Sequence, residues 1–288
     1  MFISLMQSSP ELFITLIAIL GLLVGSFLNV VIYRLPIMME REWTAQCNEL
    51  NGSESKKLAA FTLSKPRSRC PHCAHLIGAL ENIPVISYLA LGGKCKQCKT
   101  SISIRYPIIE AFTGLLSGII AWQFGFDWAC LGALLLTWSL ITLSFIDLDH
   151  QLLPDSITLP FLWLGISFNL FATYTDLQSS IIGAMAGYLS LWLVFHGFKL
   201  VTGKEGMGYG DFKLLAVLGA WLGWALLPSI MLLSSLVGAI VGIALIVFRR
   251  HQRDIPIPFG PYLAAAGWLA LVWGTDINYA YLTWVTGS

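Results

Sequence analysis

Residues 11–33 read ELFITLIAILGLLVGSFLNVVIY, with a single charge, Glu11, at the start and Arg34 directly after the end. A helix needs roughly 20 apolar residues to cross a hydrocarbon core about 30 Å thick, and this stretch supplies them. No basic residues precede it, so it reads as a retained span rather than a cleaved signal. The composition extends that reading to the whole chain. Of 288 residues 56% are hydrophobic and only 11% are charged, against about 25% charged in an ordinary soluble domain. Too few charges remain to cover a water-soluble globule. The richness in apolar and aromatic residues also excludes a disordered chain.

Outward from this first run comes a polar stretch, 34–105. Apolar runs then follow at about 107–125, 128–147, 156–174, 178–199, 212–225, 227–248 and 261–274. The expected fold is an all-α polytopic membrane protein of about eight transmembrane helices. Its divisions are a first helix over 1–35, an insert over 36–105 and a seven-helix membrane domain over 106–288. The boundary between the sixth and seventh runs, at Gly223–Pro228, is the least distinct. All 17 Lys and Arg residues fall in three places: the 34–105 stretch, the connection holding Lys199, Lys204 and Lys213, and the segment with Arg249, Arg250 and Arg253. With eight spans, all three lie on one side, which the positive-inside tendency makes the cytoplasm. Both termini are then periplasmic. Membrane lipid is an expected partner and nucleic acid is not.

The insert carries Cys70-Pro-His-Cys73 and Cys95-Lys-Gln-Cys98. Two CxxC pairs at this separation suit a tetrahedral four-thiolate zinc site of the ribbon type. Two disulfides are the alternative, but a reducing cytoplasm disfavours them. A shell closed by four sulfurs has no position for water, so the metal would be structural. His72 and His75 are substitute ligands in principle. Cys47 and Cys130 lack partner spacing and read as ordinary structural residues. The stretch 41–60 reads as a variable loop.

Two carboxylates stand at span ends, where charge near hydrocarbon marks a functional candidate. Asp147 lies in Phe145-Ile146-Asp147-Leu148-Asp149-His150-Gln151-Leu152-Leu153-Pro154-Asp155. Asp211 lies in Gly206-Met207-Gly208-Tyr209-Gly210-Asp211-Phe212-Lys213. The topology puts both at one membrane depth. The plain alternatives are a helix cap for Asp211 and for Asp155 and simple solvation for Asp149. An ion transporter using the same aspartates would place them near mid-membrane, not at span ends. The alternating Gly206, Gly208 and Gly210 allow close backbone approach beside Asp211. They do not form a phosphate-binding loop. Glu110, early in the second span, either contacts a cationic ligand or orients polar groups of another span.

Gly208-Tyr209-Gly210-Asp211 resembles the GxGD class of membrane aspartic proteases. Further stretches narrow the resemblance to the type IV prepilin peptidases: Gly25-Ser26-Phe27-Leu28-Asn29 running to Pro36, the CxxC pairs around Glu81-Asn82-Ile83-Pro84, and Arg105-Tyr106-Pro107 with Glu110. Leu153-Pro154-Asp155 and Pro258-Phe259-Gly260-Pro261 complete the series. The resemblance implies catalytic roles for Asp147 and Asp211, zinc at Cys70, Cys73, Cys95 and Cys98, and a part in methyl transfer for Gly93. It further implies cleavage of the short basic leader of prepilins and pseudopilins at the inner membrane, then N-methylation of the new terminus with S-adenosylmethionine. Paired carboxyls do not both ionise readily, so one would activate water while the other donates a proton.

Overall fold

The computed structural model describes residues 6–52, 60–204, 206–249 and 258–286. The described residues are overwhelmingly helical, and extended pairing among them is confined to two isolated bridges, Arg69–Leu76 and Lys94–Ser101. The helices are α1 (Pro10–Leu50), α2 (Ile86–Ala90), α3 (Arg105–Phe124), α4 (Trp128–His150), α5 (Asp155–Asn169), α6 (Leu177–Thr202), α7 (Tyr209–Leu222), α8 (Leu227–Arg249) and α9 (Gly260–Thr286). The chain divides into two compact units, Met1–Phe126 and Asp127–Ser288.

In the first unit α1 packs against α3. The contact runs through small residues. A Cβ added to Gly21 would lie 2.5 Å from Ser117 Oγ, and one on Gly25 would lie 2.8 Å from the Glu110 Cα. Such spacing lets two helix backbones approach closely where lipid offers no hydrophobic drive. At 41 residues α1 is roughly 60 Å long, about twice the hydrocarbon thickness. It does not end where the apolar run ends. The stretch 41–60, expected as a loop, is helical as far as Leu50. Its Arg, Glu, Ala, Gln and Leu residues are strong helix formers, and a fall in hydropathy does not end a helix. Arg34 is buried and donates to the carbonyls of Thr62 (2.9 Å) and Pro66 (2.7 Å). Arg41 stacks over the Phe61 ring at 4.5 Å.

In the second unit α7 is central, with α5, α6 and α9 packed on it. It is buried from Asp211 to Leu222 at all but one position, as expected of a helix that is apolar all round. Gly183 of α6 and Gly219 of α7 meet back to back: a Cβ on Gly183 would sit 2.3 Å from the Gly219 carbonyl oxygen. The last carbonyls of α7 are capped from its neighbours. Asn169 Nδ2 donates to Ala220 and Trp221, both at 2.9 Å, and Ser180 Oγ donates to Ala220. Gly223, with φ +81°, then turns the chain into a short 3-10 segment before α8, within the Gly223–Pro228 boundary.

Five helical segments among the described residues are long and apolar enough to cross a membrane: Pro10–Leu50, Arg105–Phe124, Trp128–His150, Leu177–Thr202 and Trp224–Ala244. At 15 and 14 residues α5 and α7 are shorter, and α9 departs from helical geometry at Trp273. Of the basic residues used to orient the spans, Lys56, Lys57, Arg250 and Arg253 lie outside the described residues, as do both chain ends.

Candidate active site and metal centre

Asp147 sits one turn before the end of α4, and Asp211 is the third residue of α7. Each is only 6% exposed, and Leu153, six positions after Asp147, lies against Gly210, the residue before Asp211. The fold therefore brings the two predicted aspartates together inside one unit. Asp211 is not a helix cap. The capping position belongs to Gly208, and no side chain caps it. Nor does Asp155 cap α5. Pro154 holds that position, while both Asp155 carboxylate oxygens accept from Lys213 Nζ, at 2.6 and 2.7 Å.

A third segment completes the site. α9 packs on both α4 and α7. Its first residue, Gly260, donates its backbone amide to Asp147 Oδ2 at 3.0 Å. The first amides of a helix lack partners within it, and they favour a nearby negative charge. A Cβ at this point would lie 2.6 Å from the same Oδ2, so a larger residue forces the carboxyl to turn or the helix to retreat. Gly210 is crowded in a related way: its Cβ would lie 2.7 Å from that of Leu153. The glycine before Asp211 thus lets the segment after Asp147 pack directly against its backbone. Sequence reading assigned no role to Gly260. The signal was there in Gly260-Pro261, since proline just inside a helix start is pre-organised for it.

In the first unit the four predicted cysteines converge, all free of disulfides, with their sulfurs within 4.8 Å of one another. Cys70 and Cys98 Sγ are 3.7 Å apart, and Cys73 and Cys95 Sγ 3.9 Å. A tetrahedron with metal–sulfur bonds of about 2.3 Å has edges of about 3.8 Å, so the donor set fits a tetrahedral four-thiolate ion. The two knuckles repeat one another. Ala74 N donates to Cys70 O and Lys99 N to Cys95 O, each at 3.0 Å, and Ala74 and Lys99 both adopt left-handed φ near +60°. His75 faces away from a ligand role, with Nε2 3.0 Å from Glu81 Oε2. Glu81 also reaches Lys96 Nζ at 3.4 Å, joining the first knuckle to the second.

Gly93 has φ +68°, and a Cβ there would meet the Tyr88 ring at 2.9 Å. Its amide donates to Tyr88 O at 2.8 Å. Glu110 orients polar groups of the insert: it is half-buried and accepts the Val85 amide at 2.8 Å. Val85 occupies a left-handed conformation (φ +60°, ψ −49°) while Ile86 N bonds Pro84 O. That is a three-residue γ-turn with positive φ, strained for a β-branched side chain. Asn29 of α1 ties the start of α3 by donating to Tyr106 O at 3.1 Å.

Comparison with known proteins follows the same division. Residues 19–124 match the bacterial peptidase A24 N-terminal domain, and residues 134–243 match the type IV leader peptidase family. The chain is 57% identical over 281 residues to the prepilin leader peptidase/N-methyltransferase of Stutzerimonas stutzeri, covering 97% of each chain. It is 58% identical over 278 residues to that of Pseudomonas aeruginosa, covering 96% of each. To that of Neisseria gonorrhoeae it is 52% identical over 279 residues, covering 95% of each. No solved structure matches.

Proposed function

Because the chain belongs to the type IV leader peptidase family, we propose that it cleaves prepilins and pseudopilins with Asp147 and Asp211 and then N-methylates the new terminus. The observation that carries the peptidase reading is the pairing of two buried carboxylates at helix ends, one of them held by a helix-terminal amide. Two carboxyls this close titrate as a unit and share a proton. The ionised member takes a proton from water, and the resulting hydroxide attacks the scissile carbonyl. The protonated member gives its proton to the leaving amine as the C–N bond breaks. Gly260 fixes the orientation of the Asp147 carboxyl through Oδ2. No serine or cysteine nucleophile enters.

Their place at helix ends suits a cut at the membrane boundary, where a prepilin's basic leader gives way to its apolar helix. We assign that boundary to the cytoplasmic face of the inner membrane, with about eight spans and both termini periplasmic, from the distribution of Lys and Arg. The divisions 1–35, 36–105 and 106–288 belong to the same reading. Cys70, Cys73, Cys95 and Cys98 hold structural zinc, which orders a module too small to bury much core. S-adenosylmethionine supplies an electrophilic methyl group for the new terminal amine. Gly93 belongs to that second activity through the turn it makes under Tyr88.

The mass of the N-terminus of a coexpressed prepilin tests both activities. Asp147→Ala and Asp211→Ala should each leave the leader in place, and full cleavage by either would end the two-aspartate mechanism. Cys70→Ser with Cys73→Ser should lower bound zinc and methylation together. Methylated product from metal-free protein would refute the module's role.

A further inference from the structure

The segments that carry the two aspartates are tied to each other twice. After Asp147, α4 ends at His150 and Gln151 reverses the chain with φ +55°, its amide bonded to Asp147 O at 2.9 Å. Leu152, Leu153 and Pro154 then lead to Asp155, the first residue of α5. On the other side of the site, Lys213 follows Asp211 by two positions, as the fifth residue of α7. Lys213 Nζ reaches both carboxylate oxygens of Asp155, at 2.6 and 2.7 Å. The second tie is apolar: Leu153 lies against the Gly210 backbone and beside Gly260.

We propose that the Asp155–Lys213 ion pair is a positioning clamp that sets the separation of Asp147 and Asp211 for water activation. This rests on the two-aspartate reading above. Neither residue is placed to react. Each is joined to an aspartate by a short stretch of chain whose conformation is fixed by the turn at Gln151 or the start of α7. The side chains of Lys213 and Asp155 are 28% and 54% exposed, and pairs as open as this contribute little to global stability. Their effect therefore falls on geometry. Misplacing a reacting group by about 1 Å costs on the order of 100-fold in rate, so a partial loosening of the clamp should register in kcat before it registers in unfolding.

The test uses the full-length enzyme in detergent with a prepilin substrate. Asp155→Asn and Lys213→Met nearly keep side-chain length, and each removes one charge and with it the ion pair. Each should lower kcat about tenfold, with KM within about twofold and the melting temperature near that of the parent. The double variant should be no slower than either single one, because both remove the same contact. Lys213→Arg, which can still pair with both oxygens, should keep most of the rate. Singles with parental kcat would overturn the proposal. So would losses that multiply in the double variant, or a rise in KM alone, which would make the pair a substrate contact. Should the singles unfold, Lys213→Arg decides: a folded, paired but slow enzyme also overturns it. Asp147→Asn and Asp211→Asn run alongside. If either still cleaves, the two-aspartate reading itself has failed, and the clamp with it.

Discussion

The backbone amide of Gly260 donates to Oδ2 of Asp147 across 113 positions of sequence, at 3.0 Å. This contact makes the start of α9 part of the site through its backbone. Gly260→Ala keeps the amide but forces a methyl group into space 2.6 Å from the same oxygen. The carboxyl must turn or the helix must retreat. Cleavage by Gly260→Ala should fall on the order of 100-fold in a protein that still folds and binds metal, measured as kcat on a prepilin. A parental rate would show that the orientation of Asp147 is set elsewhere.

The four thiols and the carboxylates at span ends stand out in the sequence because their signals are local, while choosing Asp147 over Asp149 rests on the family resemblance. A charge at the end of an apolar run and two CxxC pairs need only short windows. Leu153 and the Asp155–Lys213 pair could not, since each acts through a contact between distant segments, and Gly260-Pro261 signals a helix start but not its partner Asp147. Asp155 shows the difference well. Its position before an apolar run reads as a cap, but its partner lies 58 positions away. The helix map missed one helix end, for a physical reason. Hydropathy marks where a helix enters lipid, not where it stops, so the continuation of α1 to Leu50 went unseen. α7, at 14 residues, is short because its neighbours rather than lipid surround it.

Gly183 and Gly219 predict where the second unit cannot tolerate a side chain. Added Cβ atoms would lie 2.3 and 2.1 Å from the opposing carbonyl oxygens. Backbone, unlike a flexible side chain, cannot swing away. Gly183→Ala should destabilise the unit by about 1–3 kcal/mol or more, the range seen for overpacking, and Gly219→Val should prevent folding. Gly197, with open space around it, is the control, and Gly197→Ala should be neutral. Thermal unfolding in detergent checks the set. Equal melting temperatures would mean that α6 and α7 are not in backbone contact.

Glu110 and Val85 give a second test in the first unit. The Val85 amide sits in a strained turn and is satisfied by the Glu110 carboxylate. Val85 is only partly buried, so leaving its amide unpaired costs at most about 1 kcal/mol, which a strained turn has little reserve to absorb. Glu110→Ala should therefore open residues 83–91 to amide hydrogen exchange while leaving α7 protected. Glu110→Gln keeps an acceptor oxygen and should exchange like the parent. Val85→Gly removes the β-branched penalty at φ +60° and should slow exchange in the same segment. Uniform exchange across all three variants would remove the turn's dependence on Glu110.

Acid sensitivity of the metal centre follows from Glu81 and Cys98. The Gly78 amide, then His75 and Lys96, hold the Glu81 carboxyl below the usual carboxylate range. A group depressed in the folded state stabilises it above the unfolded value of about 4.3, and that contribution is lost as pH falls through the lowered folded value. Cys98 acts at higher pH: the hydroxyl and amide of Thr100 push its thiol down to about 6. A thiolate is the form that binds metal, and protons compete with the ion for it. Metal bound per chain, measured after dialysis from pH 8 to pH 4, should fall as protons displace it. Glu81→Gln breaks the link between the knuckles, so it should release metal at a higher pH than the parent and lose the acid step that lies below the unfolded value. Thr100→Val should raise the Cys98 thiol and move the onset of release upward without touching that step. Coincident curves for all three proteins would mean that neither group governs the centre.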